Sequence, residues 1–286
     1  MIFFLALLAG APNAVAAQLV MDGITPQTST GNCYALSTQY GFGFIPGESK
    51  TVTKIDLYVT AALGAGSVRA FFYQNDSNGW TGATRLATFN QASAATSYSN
   101  GSISGYVVTL TGKINVIRGK QYWIYFTDPN LSTDGNTEMD CLAPNDPTLS
   151  NGWTMVTSSG SYILTNATGA PFSYSAYPAY RLYVPIPASI SVSLNSGGTN
   201  ALYRSTSTIK ATVNSDGPVT FFNYGKAIPG CKKISSVSGV ALCTWKPAVM
   251  GPNLLTASVT PTDYVNYSAN TSSIFYAGAT PRSTKR

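Results

Sequence analysis

The chain has 286 residues, of which 44% are hydrophobic and only 10% charged, with a formal net charge of +6 and no histidine. That apolar share excludes a disordered chain, and the length suits two domains better than one small sandwich. The missing imidazole excludes a Ser-His-Asp triad, and without a long basic run the positive charge is no nucleic-acid footprint.

Residues 1–17, MIFFLALLAGAPNAVAA, hold an apolar run from Ile2 to Ala9, then Pro12 and the small residues Ala14 to Ala17. This is the pattern of a secretory signal peptide with its cleavage site. The run is too short for a membrane helix, which needs roughly 20 apolar residues. No later segment is apolar enough to cross a bilayer, so no membrane span is expected in the mature chain. No Lys or Arg precedes the run, which makes the signal atypical; a buried first strand or helix is the competing reading.

From Gln18 onward nearly every segment reads as strand and turn. In TVTKIDLYVTA (51–61) the apolar members Val52, Ile55, Leu57 and Val59 predict one strand, and SVRAFFYQ (67–74) predicts the next. The turn-rich NDSNGWTG follows, then strands in TRLATFN and GYVVTLTG. INVIRGKQYWIYFTD holds a strand, a turn at Gly119 and the strand 121–128, in which Trp123 is a core residue. WTMVTSSGSYILT predicts a hairpin about Ser159-Gly160, and AYRLYV (179–184) closes a first domain, 18–185. Short strands divided by Gly, Asn and Ser turns signal a sandwich or barrel, and no sustained 3.6-residue period competes.

PIPAS (185–189) predicts a stiff boundary, because two prolines remove ladder donors and a sheet cannot run through them. A second strand set follows: SISVSL, STIKATV, PVTFFNY, a cysteine-bearing meander, NLLTASVT and SSIFYA. That number of strands in so short a span is the size of an immunoglobulin-like sandwich. The tail, 278–286, carries Arg282, Lys285 and Arg286 and reads as a solvated basic terminus.

The four cysteines are Cys33, Cys141, Cys231 and Cys243. None has the close spacing of a zinc site, and a nucleophilic thiol lacks its usual base. An even count in an exported chain points to disulfides, and four cysteines can pair in any of three ways. Cys231 with Cys243 and Cys33 with Cys141 is the pairing that keeps each bridge inside one domain. The meander between 219 and 245 folds back to bring the first pair together; the second would tie the start of the first domain to a late loop.

PVTFFNYGKAIPGC, GVALCTW and GPNLLTASVTPTDYVNYSANTSS resemble the bacterial Ig-like domains found in tandem on exported proteins. The match covers about 188–277, with Thr256-Ala257-Ser258 and the run from Asp263 to Ala269 at the places of the family's closing motif. The resemblance implies a spacer or adhesive stalk with no catalytic residue, although stalks usually carry several copies and this chain has one. In the first domain, TVTKIDLYVT, VRAFFYQNDSNGWTGATRLAT and VIRGKQYWIYF resemble the choice-of-anchor-type exported domains, which implies a jelly-roll-like sandwich. The expected fold is therefore all-β, an N-terminal jelly-roll-like β-sandwich followed by an Ig-like β-sandwich.

Three constellations are candidates for chemistry. DPNLSTDGNTEMDC (128–141) gathers Asp128, Asp134, Glu138 and Asp140 on what reads as one loop. Such acids cap turns, or supply hard oxygen ligands for Ca2+, or form a glycosidase pair. No other cofactor is expected. Aromatics are the second: NGW occurs twice, placing Trp80 and Trp153 after turns, and PFSYSAYPAYRLY adds Tyr174 and Tyr177. Their rings suit stacking on sugars or on a protein partner, or else lid the core. Nucleophiles are the third, and the absence of a G-x-S-x-G elbow or phosphate loop leaves them empty.

These features predict a non-enzymatic, exported surface or extracellular protein, bacterial in type, with an adhesion or binding module carried on a spacer. Its partner would be an extracellular polymer, glycan or protein, and not a nucleic acid. A structural component of a bacteriophage particle and a carbohydrate-binding module are the alternatives.

Overall fold

The computed structural model describes residues 17–281, apart from 23–29, 36–40, 60–62, 77–78, 80, 101–102, 128–137, 143–147, 150–151, 159–160, 166–170, 175–176 and 179. At 22, 30–35, 100, 103–104, 138–142, 148–149, 157–158, 161–165, 171–174 and 177–178 it describes the backbone alone. Every regular element among the described residues is a strand, and the chain divides into two compact units, Ala17–Pro185 and the part from Ile186 onward.

The first unit runs β1 (Gln18–Asp22), β2 (Thr30–Ala35), β3 (Gly41–Ile45), β4 (Lys50–Val59), β5 (Arg69–Gln74) and β6 (Arg85–Gln91). It continues β7 (Thr96–Asn100), β8 (Ile103–Val116), β9 (Tyr122–Thr127), β10 (Glu138–Leu142), β11 (Thr148–Leu149) and β12 (Thr154–Met155). It ends β13 (Thr157–Ser158), β14 (Ser161–Thr165), β15 (Pro171–Tyr174), β16 (Tyr177–Pro178) and β17 (Tyr180–Val184). Antiparallel pairing follows the spatial order β3, β9, β5, β6, β8, β4, β17, β1. One continuous sheet therefore curls until its two halves face each other. The inward residues prove the closure. Phe42, Phe44, Phe72, Phe89, Ile124 and Phe126 from one half share a single buried core with Ile55, Leu57, Val108, Leu110, Tyr180 and Leu182 from the other. Phe42 stacks on Tyr180 across that core at 3.9 Å. Each fully buried Phe or Leu contributes about 2–3 kcal/mol relative to an exposed one, so this shared layer is what holds the halves together.

The segments GYVVTLTG and INV, read separately from sequence, form the single strand β8. Gly112 lets it pass: a Cβ there would lie 2.5 Å from the Phe89 ring. β8 itself carries the extra residue there: between the pairs Val52–Ile114 and Lys54–Thr111, Gly112 and Lys113 stand opposite Thr53 alone, a β-bulge.

The second unit runs β18 (Ile186–Pro187), β19 (Ile190–Leu194), β20 (Asn200–Leu202), β21 (Ser207–Val213), β22 (Pro218–Asn223) and β23 (Lys226–Ala227). It continues β24 (Ile234–Ser235), β25 (Val240–Trp245), β26 (Gly251–Val259), β27 (Tyr267–Ser268), β28 (Asn270–Thr271) and β29 (Phe275–Thr280). One sheet is β19-β21-β25, and the other is β20-β29-β26-β22-β23. Alternation fixes which side is inside: in VALCTW, Ala241, Cys243 and Trp245 are buried and the residues between them are not. They meet Phe221, Leu255, Ala257 and Val259 from the opposite sheet in one core. Tyr224 and Gly225, both at positive φ, make the two-residue turn that pairs Asn223 with Lys226.

PIPAS corrects one expectation. Ile186–Pro187 does pair, in parallel with Tyr267–Ser268. Parallel pairing uses alternate residues, and the amides of Ile186 and Ala188 donate to the carbonyls of Asn266 and Ser268. The missing N–H of Pro187 falls between those bonds and costs nothing.

Cys231 and Cys243 are disulfide-bonded, with Cα atoms 5.6 Å apart. The Cys231 carbonyl accepts from the amide of Phe221 on β22, so the bridge ties the β22 sheet to β25 of the other sheet. Cys33 lies on β2 and Cys141 on β10, which are paired antiparallel with a bulge between Met139 and Asp140. That corrects the placing of Cys141 in a loop: Glu138–Leu142 is a strand, paired along its length with β2. The two thiol side chains lie outside the described residues.

Candidate functional site

Alternation on β5 and β9 builds an aromatic outer face. Ala70 and Phe72 point into the core, so Arg69, Phe71 and Tyr73 point out. Register sets Phe71 opposite Tyr125 and Tyr73 opposite Trp123 on β9, and Thr88 and Arg85 opposite the same two residues on β6. On the far side of β9, Gly43 stands opposite Trp123. A Cβ on Gly43 would lie 2.7 Å from Val156 and 2.9 Å from the Trp123 ring, so the glycine makes room for both. Trp123 is consequently fully buried on this outer face, packed with Val156 and flanked by Ile45 and Tyr73. Its Nε1 donates to the carbonyl of Asn75 at 3.3 Å.

Above that floor the face is half open. Phe71 and Tyr125 lie near-parallel, 17° apart with centroids at 6.1 Å. The Arg85 guanidinium sits over the Phe71 ring at 4.7 Å. Burial pushes the Tyr125 hydroxyl up to about 12, with a smaller push from Tyr73. Burial likewise raises Tyr73, against the opposing pull of the Arg85 charge. Near the turn after β5, Asp76 accepts from Lys120 at 2.8 Å and from the Gln121 amide at 3.3 Å. Those bonds hold its carboxyl below the usual range and commit its charge to Lys120. Among the described residues no carboxylate forms an ion pair with Arg85 or Arg69.

The outer face of the other half is built differently. Asp56 on β4 accepts from Thr109 at 2.7 Å and pairs with Lys54 at 3.3 Å. Lys54 also stands 3.9 Å from the Tyr183 ring, and Arg181 donates to the Tyr58 hydroxyl at 3.1 Å. Burial, then the neighbouring Asp56 charge, drives the Tyr183 hydroxyl well above an ordinary phenol. Tyr58 meets Tyr98 edge-on at 4.7 Å. This network fixes β17 against β4.

In the second unit an open cleft of about 600 Å³ is lined by Ser189, Ser191, Asn214, Asp216, Ser238 and Gly239. Its polar atoms serve the backbone: Asp216 accepts from the Gly239 amide at 2.8 Å, and Asn214 from the Ser189 amide at 2.9 Å.

The residues singled out by sequence fall as follows. Trp153, expected to stand at a sandwich end for a ligand, is corrected: it is 1% exposed and lies parallel to Phe44 at 5.6 Å. The positive φ of Gly152 turns the chain inward there, and the core takes the indole. Its Nε1 has no hydrogen-bond partner among the described residues. Trp80 lies outside the described residues. Tyr174 and Tyr177 lie on β15 and β16, with side chains outside them. Asp128 and Asp134 lie outside them too, and Asp140 is on strand β10, so these acids do not share one loop. Among the described residues no group of three His, Cys, Asp or Glu side chains comes together to hold a metal.

Sequence reading passed over Phe71, Tyr73, Arg85 and Tyr125. One signal was available: RAFFYQ and YWIYF carry aromatics at consecutive positions, so each puts rings on both faces. A strand with one wet face normally alternates apolar with polar.

Together these features define an all-β protein of two compact sandwich units, one of them carrying an aromatic and cationic outer face. No family model and no curated protein matches the sequence. Among solved structures, the fibronectin(III)-like modules of Clostridium thermocellum CbhA share 12% identity over 94% of this chain and 97% of that one. Their TM-score of 0.27 is too low to bear on fold or function.

Proposed function

We propose that this is an exported, non-catalytic binding protein of the surface or extracellular space, in which the first unit contacts a polymer or protein partner and the Ig-like second unit is a spacer. The observation that carries this is the Cys231–Cys243 bridge in a chain that opens with a signal-like apolar run. Disulfides form and persist in oxidising compartments and are rare where glutathione keeps thiols reduced. The placing of Cys33 and Cys141 on paired strands supports a second bridge. Carbohydrate binding is the version of this reading favoured by the half-buried outward rings of β5, since aromatic faces stack on pyranose rings.

Intact mass spectrometry of the natively expressed protein, with and without reductant, tests it. The expected mass lacks residues 1–17 and gains the hydrogens of two opened disulfides on reduction. A full-length mass with four free thiols would end the export reading.

A further inference from the structure

The outer face of β5, β6 and β9 has a chemistry more specific than apolar contact. Arg85 is exposed, yet its guanidinium is laid over the Phe71 ring. Cation–π contact restrains the side chain while leaving the edge N–H groups free to donate, and a planar fork so held is matched to a carboxylate. Arg69, also exposed, points from the same face two residues before Phe71. Neither guanidinium has a carboxylate ion-pair partner among the described residues, whereas Lys54, Lys50 and Lys120 each have one. Beside the two arginines lie the half-buried rings of Phe71 and Tyr73, with half-buried Thr88 and exposed Asn90 on β6 to meet hydroxyls. Aromatic surface, uncharged hydrogen-bonding groups and positive charge with no carboxylate partner among the described residues therefore share the outer face of β5 and β6.

We propose that this face binds an acidic polysaccharide, with a sugar ring packed against Tyr73 and a uronate carboxylate held by Arg85. The inference rests on the binding-protein reading above and names its ligand class. A neutral glycan would use the rings but leave the guanidinium unmatched. A nucleic acid would need a longer basic track than two arginines provide. The site is assembled before the ligand arrives, because Trp123 and Val156 fix the floor and Phe71 fixes Arg85. Preorganisation of that kind lowers the ordering cost of binding.

Affinity electrophoresis of the full chain through gels containing alginate, polygalacturonate or hyaluronate tests this, with neutral xyloglucan and single-stranded DNA as comparisons. At least one acidic glycan should retard the protein, and added salt should relieve the retardation. Arg85→Gln should weaken binding by about tenfold, the size of one lost charge-assisted hydrogen bond. Arg85→Lys should restore only part of it, since the charge returns without the fork. Lys210→Gln, the same charge change in the second unit, should leave binding unaltered. No retardation by any acidic glycan overturns the proposal, and it does so without touching the export reading, which the mass measurement decides. Equal retardation by xyloglucan, an Arg85→Gln response no larger than that of Lys210→Gln, or Arg85-dependent binding to DNA alone would also overturn it.

Discussion

Replacing both Cys231 and Cys243 by Ala removes the one cross-link seen between the two sheets of the second unit. The bridge closes a separation of 12 residues. In the chain-entropy account, a loop of about 13 residues stabilises the folded state by about 3 kcal/mol. Both residues are buried, at 0% and 6% exposure, so losing the sulfur atoms adds about 1 kcal/mol of lost packing. The sum, about 4 kcal/mol, is a large fraction of the stability of a domain this size and should lower its melting temperature by more than about 15 °C. Differential scanning calorimetry of the full chain reads this directly. Reducing the wild type without mutation isolates the cross-link and should recover about three-quarters of the effect. A double-Ala variant that melts within about 4 °C of wild type would mean that the 228–231 segment holds its place without the bond, and the reasoning fails.

Trp153→Ala should cost about 3–5 kcal/mol in urea denaturation, because the indole fills the core against Phe44, and a cost below about 1 kcal/mol would return that ring to the surface. Gly112→Ala should destabilise by about 1–3 kcal/mol through collision with Phe89, whereas Gly64→Ala, which meets nothing within 4 Å, should be neutral or slightly stabilising. Equal effects at the two glycines would refute the packing account of β8. The Tyr125 hydroxyl, raised to about 12, is protonated in the fold where an unfolded phenol would ionise. Its contribution to stability is therefore complete below about pH 10 and lost as pH climbs through about 12. Ultraviolet titration should show a late tyrosine that disappears in Tyr125→Phe; an unchanged titration curve in that variant contradicts the burial of the ring.

Alternation made the strands legible in the sequence. In VALCTW and in the stretch around Ile55 and Leu57, every second residue is apolar and buried in the core, the period of two that a strand requires. The Cys231–Cys243 bond was legible for a related reason: a short meander with tight turns returns the chain to itself, so partners close in sequence meet by local geometry. Tertiary contacts decided the rest. Trp153 follows a turn that could have released it to solvent or delivered it to the core, and only the vacancy beside Phe44 selects between them. Glu138–Leu142 is a strand paired with β2, a partner about a hundred residues away that no local pattern announces. Phe71, Tyr73 and Tyr125 lie on strands with rings on both faces, where periodicity cannot say which side is wet. That choice fell to Gly43, whose missing side chain admits Trp123 and Val156 and seals part of the outer face while leaving Phe71, Tyr73 and Arg85 at its open end.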